Sequence, residues 1–361
     1  MSFVSPKAPS APTALIADDD VFLEHVAPPD HPECGERLIA ARAGLEQAAS
    51  AFAAEGRERD YTMLPVSDAS DDQLARVHTA EHIERLGHLA GRAGYLDSDT
   101  YLSPRSVAAA RRAAGAAAAL VDALDAGRAR VGFALTRPPG HHALADRAMG
   151  FCLFNNVAVA AAHARAKGRE RVLVLDWDVH HGNGTEAIFY DDPSVLFISL
   201  HQYPNYPGTG ASADVGARDG VGRNINVPLP LGGGDALYGA AFERVVLPII
   251  EQFAPDFALV SCGFDAHARD PLAQMSLSSS AYGAMTHSLM ERLPATCPLG
   301  LVLEGGYDLQ ALRESSYAVA RALLGAPPPT PLGAPDRALP REATEALAQV
   351  AQEQARFWRL A

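Results

Sequence analysis

The sequence predicts an α/β fold: one domain on a mainly parallel sheet of roughly eight strands, with helices on both faces. Three observations carry this. From residue 131 onwards, short apolar runs alternate with helix-length segments. Several runs are apolar and β-branched throughout, as strands buried on both faces are. Unusual polar residues follow the runs directly, where open α/β sheets place their chemistry.

Taken in order, residues 1–12 are rich in Ser, Pro and Ala without periodicity and read as disordered. Thr13–Ala17 is a strand stopped by Asp18–Asp20, and His25–Glu36 is a loop. Leu38–Phe52 reads as a helix, and His78-Thr-Ala-Glu81-His82-Ile83 as a turn into another. Ser103-Pro104 reads as the N-cap and first-turn proline of an alanine-rich helix reaching Ala126. Strands are then expected at Val131–Thr136, Arg171–Asp176, Val195–Leu200, Asn224–Val227, Phe257–Cys262 and Leu299–Glu304. Helices are expected at Phe154–Ala166, Ala236–Phe253 and Ser278–Leu293, and a further one after the Gly305-Gly306-Tyr307-Asp308 turn, reaching Leu324. Residues 13–325 thus form one domain, and 326–361 a proline-rich connector with a terminal helix packing on it.

Composition narrows the function classes. The chain has 361 residues, 48% of them hydrophobic, and a formal net charge of −13. That charge lacks the basic footprint of a nucleic-acid binder and suits attraction of cationic substrates. No run approaches the ~18 apolar residues of a membrane span. Cys34, Cys152, Cys262 and Cys297 are far apart and form no C-x-x-C pair, which disfavours a disulfide framework. Without a signal-peptide pattern at the start, a cytoplasmic protein is expected.

The organising stretch is Arg171-Val-Leu-Val-Leu-Asp176-Trp-Asp178-Val-His180-His181-Gly-Asn183-Gly. Strand residues at i and i+2 share a face, so continued strand geometry would aim Asp176, Asp178 and His180 one way. Carboxylate oxygen and imidazole nitrogen suit zinc and related ions. Other strand ends carry His141-His142, Asp265 and Tyr307. Each alone has an ordinary reading: surface histidines, a capping aspartate, a packed aromatic at a tight turn. Their joint occurrence after strands of one parallel sheet makes a site. Asp178, His180 and Asp265 supply three donors, as catalytic zinc sites do. A nearby histidine can move the proton of a water, and a tyrosine can donate to a forming oxyanion. Metal-assisted amide hydrolysis follows.

These motifs resemble the arginase/histone-deacetylase superfamily, specifically its class II-type and bacterial zinc-dependent amidohydrolases. The matching segments are His31-Pro-Glu33-x-x-Glu36-Arg37-Leu38, Arg137-Pro-Pro-Gly-His141-His142, Gly150-Phe151-Cys152-x-Phe154-Asn155-Asn156, Asp176-Trp-Asp178-Val-His180-His181-Gly-Asn183-Gly, Ser261-x-Gly-Phe264-Asp265 and Glu304-Gly-Gly306-Tyr307. The resemblance implies an arginase/deacetylase-like fold and a zinc ion held by Asp178, His180 and Asp265. It implies His142 as general base and then acid, partnered by Asn183. His141, paired with Asp176, would assist electrostatically, and Tyr307 would polarise the acyl carbonyl. Gly150, Phe151, Tyr206, Leu272 and Gly306 would line a substrate tunnel, with Arg37 at an inner product channel. Structural potassium is also implied: Asp176, Asp178, His180, Ser199 and Leu200 match one site, and Phe189, Asp192, Val195 and Arg223 a second.

The sequence departs from the class I pattern at Asn183, where that class has aspartate, and from the usual phenylalanine at Tyr206. Leu272 replaces the acidic gatekeeper of the polyamine deacetylases that resemble this class. A deacylase of acyl-lysine or related acylated amines, small molecule or peptide, is the leading reading. An acetylpolyamine amidohydrolase and a catalytically silent acyl-lysine-binding module are the alternatives. A dinuclear arginase-like site lacks its extra bridging ligands. A homo-oligomer, with loops 18–36 and 201–222 covering a neighbour's tunnel, stays open.

Overall fold

A computed structural model describes residues 14–56, 61–332 and 339–360. The segment 1–12 read as disordered lies outside the described residues, as does part of the proline-rich connector.

The strands are β1 (Ala14–Ala17), β2 (Tyr61–Leu64), β3 (Gly94–Tyr95), β4 (Tyr101–Leu102), β5 (Val131–Ala134), β6 (Val172–Asp176), β7 (Val195–Gln202), β8 (Asn224–Leu229), β9 (Phe257–Cys262) and β10 (Leu299–Leu303). Eight of them form one sheet in the order β2-β1-β5-β10-β9-β6-β7-β8, and every pairing in it is parallel. β3 and β4 make a separate antiparallel pair near the cleft. All residues of β5, β6, β9 and β10 are buried, as their unbroken apolar runs predict.

The helices are α1 (Gly35–Ala54), α2 (Asp71–Leu74), α3 (Ala80–Leu89), α4 (Ser106–Asp125), α5 (Asn156–Ala166), α6 (Asn183–Phe189), α7 (Asp235–Ala241), α8 (Leu247–Phe253), α9 (Ser279–Arg292), α10 (Leu309–Leu323) and α11 (Arg341–Gln354). Helix and strand stripes close over one core, in which full burial of each large aliphatic or aromatic side chain contributes about 1.5–3 kcal/mol.

Local chemistry moves several boundaries. α4 starts at Ser106, a turn later than Ser103-Pro104 predicts, because the Ser106 hydroxyl takes the Ser103 N–H at 2.6 Å and Ser106 N donates to Ser103 O at 3.0 Å. α5 begins at Asn156 because the Asn155 side chain accepts from Ala158 N. The helix expected over 236–253 is interrupted by a π-helical stretch, Phe242–Val246, just before Pro248. Proline has no N–H to donate one turn back, so the ladder is re-registered there. The edge strand β2 is missing from the sequence reading, since four residues flanked by a loop carry too little pattern. α11 contributes Ala343, Leu347 and Val350 to the core, and Trp358 Nε1 donates to Gly222 O at 3.1 Å, so the tail lies against the domain. Among the described residues no helix is long and apolar enough to cross a membrane.

Candidate metal centre and tunnel

Four adjacent strands, β5-β10-β9-β6, carry at their carboxyl ends His141-His142, Tyr307, Asp265 and Asp178/His180 respectively. Strand adjacency in space brings together residues up to 166 positions apart in the chain.

β6 ends at Asp176, so strand alternation does not aim Asp178 and His180. The chain instead makes successive side-chain-to-backbone turns. Asp178 N donates to Asp176 Oδ1 at 3.0 Å, and His180 N donates to Asp178 Oδ1 at 2.9 Å. Asp176 is thereby directed away to His141, while Asp178 and His180 converge on Asp265.

His180 Nδ1 lies 3.2 Å from Asp178 Oδ1 and 3.1 Å from Asp265 Oδ2. One ligand atom from each of the three lies within 4.8 Å of the others. A tetrahedral ion with bonds of ~2.0 Å spaces its ligands by roughly 3.3 Å, so this donor set fits zinc. The remaining oxygens are held by backbone: Gly305 N donates to Asp178 Oδ2 at 2.8 Å, and Val179 N to Asp265 Oδ1 at 2.8 Å. Burial together with the Asp178 charge pushes the Asp265 carboxyl up to about 6. His180, despite burial, is held up to about 10 by its contacts with both carboxylates. Two buried carboxylates facing one another call for a cation.

The histidine pair is split by its partners. His141 Nδ1 meets Asp176 Oδ2 at 2.9 Å, and His142 Nδ1 meets Asn183 Oδ1 at 2.8 Å. Burial disfavours charge on His141, but Asp178 and Asp176 outweigh it and raise its pKa well above the ordinary range. Burial, then charged His141 and His180, push His142 well below that range. Environments that drive two neighbouring imidazoles apart are how acid and base roles are assigned.

A cavity of about 230 Å³ opens onto these groups, lined by His142, Gly150, Phe151, His180, Tyr206, Leu272 and Tyr307, with Asp99 and Asn205 at its sides. Gly150 has φ 57°, and a Cβ there would press into the His142 ring. Phe151 follows at φ 68°, a strained conformation for an aromatic residue that sets its ring in the wall. That ring stands edge-on to Tyr307 at 5.9 Å and to His31 at 4.9 Å. Tyr206 stands edge-on to His142 at 5.1 Å. Asp97 Oδ1 is occupied by Asp99 N and Thr100 N, which makes it a turn-forming group.

Burial keeps the Tyr307 hydroxyl well above its ordinary pKa, opposed by Arg37, so it stays a donor. The Arg37 guanidinium lies 4.9 Å from the Tyr307 ring centre and donates to Gly306 O at 2.6 Å. Arg37 itself is buried and paired with Glu33 at 2.9 Å, and Glu33 also receives Arg137 Nε at 2.7 Å. Of this foot of the site, the sequence assigns a role only to Arg37 and names Glu33 and Arg137 within matching segments; His25, stacked on Tyr101 at 4.3 Å, carries no such signal. The signal of the foot was the i,i+4 spacing of Glu33 and Arg37 at the start of a helix.

Of the residues matched to potassium, Ser199 on β7 lies in register with Asp176 on β6, with Leu200 next along the buried strand. Phe189 O accepts from Asp192 N at 3.0 Å, and Arg223 O from Phe197 N at 2.9 Å, which gathers the second set near the start of β7.

Residues 31–323 match the histone deacetylase domain family. A histone deacetylase-like amidohydrolase of Pseudomonas aeruginosa is 47% identical over 262 residues, 71% of this chain and 69% of that protein. Histone deacetylase 15 of Arabidopsis thaliana is 44% identical over 326 residues; the match covers 88% of this chain but only 57% of the plant protein. The crystal structure of the HDA15 HD domain superposes with a TM-score of 0.86 at 40% identity, covering 97% of this chain and 96% of that one.

Proposed function

This chain belongs to the histone deacetylase family, hydrolases of amide bonds, and we propose that it removes short acyl groups from acyl-lysine side chains or related acylated amines. The observation that carries the reading is the convergence of Asp178 and Asp265 on His180, which itself lines a cavity that also presents His142 and Tyr307. Residues 13–325 are the catalytic domain in this reading.

Asp178, His180 and Asp265 would hold zinc, one ion per chain. When bound, zinc supplies a Lewis acid that makes water more acidic and an acyl carbonyl more electrophilic. The protein's own groups do the rest. Asn183 Oδ1 fixes the proton of His142 on Nδ1, which leaves Nε2 free to take a proton from water and pass it to the departing amine. His141, charged and tied to Asp176, adds positive potential beside the developing negative charge. The Tyr307 hydroxyl donates to the acyl oxygen as that oxygen gains charge. Phe151 and Tyr206 form the walls for the alkyl chain and Leu272 the rim. Gly150 makes room for the His142 ring behind the wall, and Gly306, which does not line the cavity, makes room for Phe264 beside Tyr307. Arg37 would lead the carboxylate product inwards. Asp176, Asp178, His180, Ser199 and Leu200 would hold one potassium ion, and Phe189, Asp192, Val195 and Arg223 a second. Four free cysteines suit a reducing compartment such as the cytoplasm.

The test is a turnover panel of acyl-lysine peptides and acylpolyamines on zinc-loaded protein, with and without chelator. Acyl-lysine turnover above N-acetylputrescine turnover, abolished by chelator and restored by zinc, is expected. Preference for the polyamine would reassign the substrate and make Leu272 an incidental rim residue. Tight acyl-lysine binding without turnover would leave a binding module.

A further inference from the structure

Tyr307 sits in an unusual backbone setting. It follows Gly305 and Gly306, the latter at φ 119°, so glycine freedom lies on its N-terminal side. The flanking groups are nonetheless anchored. Gly305 N donates to Asp178, Gly305 O accepts from Phe264 N at 3.0 Å, and Gly306 O accepts from Arg37. Downstream, Asp308 caps α10 by accepting from Ala311 N at 2.7 Å. Tyr307 N–H donates to Asp270 Oδ2 at 2.7 Å.

Asp270 is only 8% exposed. Its neighbour Arg269 is turned instead to Asp308 and Glu314. The other Asp270 oxygen, Oδ1, accepts from Leu272 N at 2.9 Å. One carboxylate therefore joins the backbone of the oxyanion donor to the backbone of the residue at the tunnel rim. A buried carboxylate held by neutral N–H groups is costly to keep, and its two bonds reach two residues that line the same cavity.

We propose that Asp270 is a positioning residue of the reaction: it sets where Tyr307 stands and locks that position to the tunnel wall at Leu272. The inference rests on the role proposed above for Tyr307. Asp270 touches no reacting atom, so it acts through Tyr307. Loss of its grip lets the two-glycine segment swing and displaces the hydroxyl from the acyl oxygen. Small displacements of this kind cost rate more than binding.

Asp270→Asn is close in shape, but its NH2 group must face one of the two N–H donors. In zinc-loaded protein with an acetyl-lysine peptide, kcat should fall roughly tenfold or more with KM within about twofold. Amide hydrogen exchange across residues 304–308 should rise, while zinc content stays unchanged. Combined with Tyr307→Phe, Asp270→Asn should cost nothing further, because the group it positions is gone. Asp270→Glu, which keeps the charge and displaces the oxygens, should show the same split if the amide variant does not fold. An equal loss in the Tyr307→Phe background, a change confined to KM, or unchanged exchange at 304–308 would overturn the proposal. If Tyr307→Phe alone leaves kcat unchanged, the role of Tyr307 falls and this inference with it. If Tyr307→Phe is slow but Asp270→Asn is not, only this inference falls.

Discussion

Two buried charge clusters lie within one molecule, and they are built on opposite principles. At the foot, Glu33 receives Arg37 and Arg137, while Arg137 also donates to Phe22 O at 2.8 Å and to the Tyr101 hydroxyl at 2.9 Å. Burial opposes ionisation of Glu33, but Arg137 chiefly overcomes it and holds the carboxyl far below the usual range. The chain completes that cluster from its own side chains. At the metal centre, Asp178 and Asp265 face each other across His180, and among the described residues no Lys or Arg pairs with them. The comparison teaches how to tell a structural ion cluster from a ligand set. Both hold buried carboxylates, but the first is completed by two guanidiniums that keep their charge, and the second faces only imidazoles, whose nitrogens can release a proton and bind a metal.

The largest effect expected is on the incomplete cluster. Asp265→Asn, or chelation of the wild type, should lower turnover by about a thousandfold or more, since the Lewis acid and its activated water go together. Metal content measured alongside activity should fall from one zinc per chain. Retained zinc with lost activity would place the defect elsewhere. Adding zinc to metal-free wild type should raise the unfolding free energy by about 4 kcal/mol at a thousandfold excess over Kd.

Breaking the self-completed cluster should instead cost stability. Glu33→Gln leaves two buried guanidiniums without a counter-charge, a loss of about 3–5 kcal/mol in denaturant unfolding. The same measurement on metal-free Asp265→Asn should show little loss or a gain, because like charges are separated. Equal losses in both would mean that the two clusters are stabilised in the same way.

A smaller effect extends the comparison to a buried imidazole without a carboxylate. His78 is held only by backbone, Nδ1 to Leu144 O at 3.0 Å and Nε2 accepting from Asn155 N at 2.9 Å, and burial lowers its pKa to about 4. Its folded pKa lies below the unfolded value of ~6.5, so the unfolded state binds more protons between them. The contribution is fully present above pH 6.5 and is lost as pH falls towards 4, by about 3 kcal/mol at most. Thermal midpoints across that window should drop less steeply in His78→Gln than in wild type.

The smallest effect is on the histidine pair. Asn183→Asp gives His142 a charged partner in place of a neutral one. The acidic limb of the kcat/KM profile should move up by about one pH unit. An unmoved limb would mean that His142 is not the group titrating there.

Much of this was legible before any coordinates. The unbroken apolar runs of β6, β9 and β10 announce strands buried on both faces, and the polar residues closing them announce a rim. Other features were not legible. β2 is a four-residue edge strand whose identity depends on pairing with β1. The start of α4 depends on Ser103 N–H bonding the Ser106 hydroxyl, which leaves the helix to begin at Ser106 with Arg105 as a cap without a side-chain bond. Spacing alone makes Asp176 and Asp178 equivalent in a D-x-D pattern; the resemblance separated them, and the turn that sends one to His141 and the other towards Asp265 appears only in the structure. Asp270 gave no signal at all, because its importance lies in a bond to a residue 37 positions away.

Local order along the chain thus determined which residues end each strand and which chemistries they carry, because burial periodicity and turn-forming types act over a few residues. The tertiary structure alone decided that β5, β10, β9 and β6 lie side by side, and so how closely their ends approach and which atoms meet. Strand order is set by the packing of whole elements against one core, and no short stretch of sequence encodes it.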